Sequence, residues 1–146
     1  MKIAIAGCGK VGATLAEQLC KENHDITVID VDEERLSYIS NSQDVMCYVG
    51  DARSVSVLKD VGAENSDLML AITDNDEANL MVCLVANKLG VKHTIARVRN
   101  PIYRETINVI NEDLGLSMVV NPEMETARRF QRVGVNFPTR QIFSVI

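Results

Sequence analysis

Lys2-Ile3-Ala4-Ile5-Ala6-Gly7-Cys8-Gly9-Lys10-Val11-Gly12 runs from an apolar, strand-like pentad straight into Gly-x-Gly-x-x-Gly. A helical spacing of Val11, Leu15 and Leu19 begins at once, and a second apolar run, Ile26-Thr27-Val28-Ile29, ends in Asp30. Each part has a mechanical reason. Gly7 permits the tight turn out of the strand, Gly9 leaves room for a pyrophosphate to approach the backbone, and Gly12 lets helix and strand pack closely. The helix start adds unpaired N–H groups and a dipole that favours phosphate charge. Asp30 falls about 20 residues on, where a carboxylate can accept from both ribose hydroxyls. A lone Gly-x-Gly-x-x-Gly is a weak signal. Strand, glycines, helix, strand and acid in one βαβ unit predict a dinucleotide-binding half-fold.

The 146-residue chain is long enough for one domain with a proper core. No apolar run reaches the ~18 residues that a membrane span needs, and the N-terminus enters a strand at once, without the pattern of a signal or transit peptide. The four cysteines (Cys8, Cys20, Cys47 and Cys83) form no CxxC pair, and three lie inside apolar runs, so they read as core residues of a reducing compartment. Cys8 is the exception: a thiol in a glycine turn at a helix start tends to a lowered pKa, against the plainer reading of a turn filler. A net charge of −5 without a basic stripe argues against nucleic acid. His24 and His93 are isolated and give no support to a histidine metal site.

Short apolar strands alternate with helices along the whole chain. Asp32 is a good N-cap for a helix over 33–42, and 45–49 reads as the third strand. Gly50-Asp51-Ala52 turns the chain into a short helix that stops near Gly62. Residues 68–72 form a continuous apolar run suited to a strand buried on both faces. Asp74 and Glu77 have capping-box spacing for a helix that is apolar nearly all round and stops at Gly90. A fifth strand spans 94–98. Asn100-Pro101 begins a helix ended by Gly115, a sixth strand spans 118–120, and Asn121-Pro122 starts a final helix to about Val133. The pattern predicts an α/β fold: a Rossmann-type, doubly wound, parallel six-stranded sheet in order 3-2-1-4-5-6. Residues 1–135 would form this nucleotide-binding domain. The apolar tail, Arg140–Ile146, reads as a strand, so residues 136–146 are expected to begin a linker or C-terminal region of a longer protein.

In this topology the crevice opens where strands 1 and 4 diverge. The stretch just past strand 4, Thr73-Asp74-Asn75-Asp76-Glu77-Ala78-Asn79, is too polar to be a cap alone. Thr73 can donate to a phosphate or ribose oxygen, and Asp74 can cap the helix or meet a hydroxyl. Arg97, near the end of strand 5, needs a partner for its guanidinium: Asp74 or a bound phosphate, or Glu77 at the rim. Met124, Ala127, Phe130 and Val133 form a stripe on the expected last helix, which suits either packing on its own sheet or pairing in a homodimer.

Gly7–Gly12, Asp30, Gly50-Asp51-Ala52, Thr73 with Asp76-Glu77-x-Asn79, and Ile95-Ala96-Arg97-Val98-Arg99-Asn100-Pro101-x-Tyr103 together resemble the N-terminal nucleotide-binding (RCK, or KTN) domain of TrkA-type potassium-uptake proteins. The likeness runs from Met1 to about residue 135. It implies a cytoplasmic regulatory subunit, peripheral at the membrane, that binds NAD(H) or ATP, ADP and AMP in one site and gates a separate membrane K+ channel or transporter of the TrkH/KtrB type. Homodimers, and rings of dimers in the full-length protein, are also implied. Carried over by position, Gly7, Cys8, Gly9, Lys10, Val11 and Gly12 would surround the pyrophosphate. Asp30 would hold the adenosine ribose, with Val31, Asp32 and Arg35 following it at the adenosine end. Asp51 and Ala52 would border the adenine. Thr73 and Asp74 would face the phosphates or the second ribose, with Glu77 close by, and Arg97 would balance terminal phosphate charge. Asp30 disfavours a 2′-phosphate by like charge, so NADP is not expected. Calcium-gated relatives have acidic residues where this chain has Arg97 and Arg99, and two cations cannot ligate Ca2+.

The alternative is the cofactor domain of an NAD-dependent oxidoreductase. That reading needs an acid–base residue near the hydride, whereas His24 and His93 sit at strand starts, at the wrong end of the sheet. The chain therefore reads as a regulatory module rather than an enzyme. A redox-sensing repressor would want a helix-turn-helix and a basic face, and neither is evident.

Overall fold

The first strand, β1 (Lys2–Ala6), pairs in parallel with β2 (Asp25–Asp30) on one side and β4 (Leu68–Ala71) on the other. Those two pairings fix the topology, because the chain must cross over the sheet once to reach each neighbour. The crossovers are α1 (Lys10–Lys21), α2 (Glu33–Ser42), α3 (Val55–Asp60), α4 (Asp76–Leu89) and α5 (Tyr103–Leu114). With β3 (Met46–Val49), β5 (His93–Arg97) and β6 (Met118–Asn121), six parallel strands stand in the expected order 3-2-1-4-5-6. The computed structural model describes residues 1–122, 126–129 and 142, and the backbone alone for 126–129.

Strand alternation builds two cores. Ile3, Ile5, Ile26, Val28, Leu68 and Leu70 project to one face and meet Leu15 and Leu19 of α1 and Leu36 and Ile39 of α2. Ala4, Ala6, Met69 and Ala71 project to the other, against Leu58 of α3, Val82, Cys83 and Ala86 of α4, and Ile107 and Leu114 of α5. β4 is buried at every position, as its unbroken apolar sequence requires of a strand covered on both sides. Among the described residues no helix is long and apolar enough to cross a membrane.

Local chemistry places the ends. Asp32 caps α2 by accepting from the amides of Glu34 and Arg35. Gly90 and Gly115 end α4 and α5 with φ of +107° and +64°, values that favour glycine. The cap of α4 is Asn75, whose side chain accepts from Ala78 N at 2.7 Å, and not Asp74. Asn100 does serve the next turn, accepting from Ile102 N at 3.1 Å, but α5 starts beyond Pro101, at Tyr103.

One element differs in kind. The final helix expected from Pro122 is replaced, over Thr126–Arg129, by a seventh strand, β7, antiparallel to β6, with Val120 opposite Ala127. Without it β6 would present an open edge, and that ladder outweighs the local helical spacing. Met124, Phe130 and Val133 lie outside the described residues, so the expected dimer stripe has no helix to carry it at Ala127. Within the tail only Ile142 is described; it is helical rather than extended and fully buried in the α1/α2-side core.

Candidate functional site

The three glycines of the first turn have different tasks. Gly7 sits at φ +109° and donates to Ile29 O at 2.8 Å, and a Cβ there would meet Thr73 N and the Ile72 carbonyl at 3.0–3.1 Å. A Cβ on Gly12 would lie 1.9 Å from Gly7 O. Gly9 is unlike both: a Cβ there meets nothing within 4 Å, although the residue lines the crevice. The fold needs Gly7 and Gly12; the space above Gly9 is free for a ligand. Ala13 N is the first amide of α1 to find a helical acceptor, Gly9 O, at 2.9 Å. The amides of Lys10, Val11 and Gly12 precede it and have no acceptor within the helix.

At the end of β2 the Asp30 carboxylate is held by two backbone amides, Cys8 N to Oδ2 at 2.6 Å and Asp32 N to Oδ1 at 2.8 Å. Its remaining lone pairs are free to accept from ribose hydroxyls. Asp32 is committed to the α2 cap and to Arg35, 3.4 Å from its guanidinium. The thiol of Cys8 is buried against Arg35 O, and burial, then the Asp30 charge, pushes its pKa up to about 11. This overturns the lowered pKa suggested by its place at a helix start and leaves the turn filler. Its amide, not its sulfur, serves the site.

Beyond β3, Gly50 N donates to Asp30 O at 2.9 Å, which sets the next turn beside the acid that ends β2. Asp51 is gripped by Arg53: Nη2 reaches Oδ2 at 2.6 Å, Nε lies 3.0 Å from Oδ1, and the Arg53 amide donates to Oδ1 at 2.9 Å. These bonds hold the Asp51 carboxyl below its usual range.

On the far side, Thr73, Asp74 and Asn75 leave β4 and Arg97 ends β5. Asn79 ties the two strands together, donating to Thr73 O at 3.0 Å and Arg97 O at 2.8 Å. Asp76 accepts from the amides of Arg99, at 3.1 Å, and Asn100, at 2.8 Å, and the Arg99 guanidinium donates to Asp74 O at 3.1 Å. Glu77 accepts from the Tyr103 hydroxyl.

These turns enclose a crevice of about 520 Å3. Of the expected site residues, Gly7, Gly9, Lys10, Val11, Asp30, Val31 and Arg35 line one part of it, and Asp51, Ala52, Thr73, Asp74 and Arg97 the rest. Cys8, Gly12, Asp32 and Glu77 do not line it. The first three act from behind as backbone donor, packing contact and helix cap, and Glu77 belongs to a separate hollow with Tyr103. Sequence reasoning gave no site role to Ile29, Gly50, Ile72, Arg53, Asn75, Ala78 or Val82, which also line the crevice. The last three repeat at i, i+3 and i+7 on α4, a spacing that marks one helix face, and Arg53 directly follows a predicted turn. Chemically, one wall offers amide, Lys10 and Arg97 donors for phosphate, and another offers the Asp30 acceptor for a sugar. Among the described residues no three histidine, cysteine or acidic side chains gather as a metal site.

Sheet order, glycine turn and the acid that ends β2 define a Rossmann-type α/β domain with a crevice suited to a nucleotide. Residues 3–122 match the TrkA-N domain, and the chain belongs to that family. A Trk system potassium uptake protein TrkA homolog of Archaeoglobus fulgidus is 40% identical over 133 residues, which are 91% of this chain and 30% of that protein. The chain thus spans under a third of that relative's length. The TrkA-N domain of the inner membrane protein YbaL from Escherichia coli superposes with a TM-score of 0.74 at 22% identity, covering 85% of this chain and 89% of that one. A GsuK channel bound to NAD gives 0.72 at 21% identity, over 85% of this chain and 22% of that chain. GsuK bound to ADP gives 0.70 at 21%, over 83% of this chain and 31% of that chain.

Proposed function

We propose that this chain is the nucleotide-sensing domain of a regulatory subunit in a Trk/Ktr-type potassium-uptake system. NAD(H), or ATP, ADP or AMP in the same crevice, would lie with its pyrophosphate over Gly9 and its adenosine ribose on Asp30. Lys10 and Arg97 would balance phosphate charge, with adenine against Asp51 and Ala52. Nucleotide exchange would alter the arrangement of subunits in a homodimer or ring, at the cytoplasmic face of the membrane, and so gate a separate K+ channel or transporter of the TrkH/KtrB type.

The observation that carries this reading is the open space at Gly9, between two glycines that the fold itself requires. Support comes from the family, from a relative named for potassium uptake, and from the occupants of GsuK.

The test is thermal stabilisation by NADH, NAD+, ATP, ADP, AMP and NADPH at matched concentrations. A ligand at 100 times its Kd adds about 2.7 kcal/mol and raises Tm by roughly 5–10 °C. Shifts for NADH and the adenine nucleotides, with little for NADPH and no oxidation of NADH alone or with added small carbonyl compounds, support the reading. A shift for NADPH alone, or for none, would overturn it.

A further inference from the structure

Asn79 is fully buried, one turn into α4, and all of its hydrogen-bonding positions are used. Its Nδ2 donates to the Thr73 and Arg97 carbonyls, and its Oδ1 accepts from the Thr73 amide at 2.9 Å and the Thr73 hydroxyl at 2.7 Å. The two carbonyls can only accept, and the Thr73 amide can only donate. The orientation of the Asn79 amide is therefore set by chemistry and cannot be reversed.

Thr73 inherits that constraint. A hydroxyl has one proton and two lone pairs. The proton goes to Asn79 Oδ1, which is closer than the competing Asn75 O at 3.2 Å. One lone pair receives the Asn75 amide at 3.3 Å. Towards the crevice Thr73 offers a lone pair and no proton. Asp74 beside it lines the same crevice, and its carboxylate can likewise only accept. With its proton on Asn79, Thr73 faces a ligand as an acceptor, whereas its sequence position had suggested a donor to a phosphate or ribose oxygen.

We propose that Asn79 is a positioning residue that makes Thr73 an acceptor, so that the β4 end of the crevice is a sugar-hydroxyl subsite. It takes the second ribose of a dinucleotide or of ADP-ribose, in preference to the terminal phosphates of ATP. The proposal rests on the crevice being a nucleotide site. Phosphate oxygens carry no proton to give at neutral pH and would meet two acceptors and a like charge, whereas ribose hydroxyls bring the protons that both acceptors lack. The phosphates are left to Lys10, Arg97 and the first amides of α1.

The experiment is calorimetric titration of AMP, ADP and ADP-ribose into the parent protein and into Thr73→Val, Thr73→Ser and Asn79→Ala. Relative to the parent, Thr73→Val lowers the affinity for ADP-ribose against ADP by roughly 3- to 10-fold, the worth of one hydrogen bond. Its AMP affinity stays within about twofold, and Thr73→Ser keeps the parent ratio. Asn79→Ala frees the hydroxyl proton and moves the ratio the same way as Thr73→Val. A merely structural role would weaken all three probes together and leave the ratio alone. An unchanged ratio in Thr73→Val overturns the proposal, and it does so whether or not Asn79→Ala folds. If the parent binds none of the three probes, the nucleotide reading itself fails and takes this subsite with it.

Discussion

The backbone amide of Cys8 donates to Oδ2 of Asp30 at 2.6 Å, so the glycine turn and the acid that ends β2 are a single unit. With Asp32 N on Oδ1, the carboxylate is oriented before any ligand arrives. A nucleotide would meet an acceptor whose rotamer is already chosen and would lose little side-chain entropy in using it.

Replacing Asp30 by Ala should therefore have two effects. Two backbone amides lose their acceptor, which costs about 1–3 kcal/mol of stability in denaturant unfolding. NADH, ATP and AMP, which share the adenosine ribose, should weaken by one common factor in calorimetry. Unequal losses would move the ribose away from Asp30.

The glycines should separate cleanly. Gly9→Ala has room for its methyl on the protein side, so Tm should hold while NADH affinity falls at least tenfold, because the methyl occupies the ligand's approach. Gly12→Ala places a methyl 1.9 Å from Gly7 O and should cost roughly 2–4 kcal/mol. Equal destabilisation by both would mean that Gly9 serves the fold.

Arg97→Ala should weaken ATP more than AMP, since a guanidinium that balances terminal phosphate charge has less to balance on a monophosphate. Titration of both ligands checks this, and an equal loss would remove Arg97 from the phosphate contacts.

The Cys8 thiol should leave a signature at high pH. Its folded pKa, about 11, stands above the ordinary thiol value of 9.0, so the native state holds the proton more tightly than the unfolded chain. Its contribution is full below about 9 and is lost as pH rises towards 11. Unfolding followed across that window should show a shallower decline in Cys8→Ala than in the parent. Parallel curves would mean that the buried thiol ionises freely.

Much of this was legible from residue order. The α2 bounds, the sheet order and most of the crevice lining follow from apolar alternation, caps and glycines, which act over a few residues. What escaped depends on partners distant in sequence. β7 exists because β6 offers an edge, not because Thr126–Arg129 favours a strand. Glu77 meets Tyr103, 26 residues away, and the direction of the Thr73 proton is set by a buried amide whose own partners span two strands. Arg53 lies two residues past Asp51, yet their ion pair depends on a turn geometry that spacing does not encode.

The bonds from Asp76 to the amides of Arg99 and Asn100 also have a mechanical meaning. They rivet the turn after β4 to the turn after β5, and Arg99 returns a second rivet to Asp74 O. The two turns form one stiff lip, and α5 begins only three residues beyond Asn100, with Val109 82% exposed on its outer side. A force applied to that lip cannot be absorbed by one loop alone; it is delivered, as by a lever arm, to the start of a helix that faces outward.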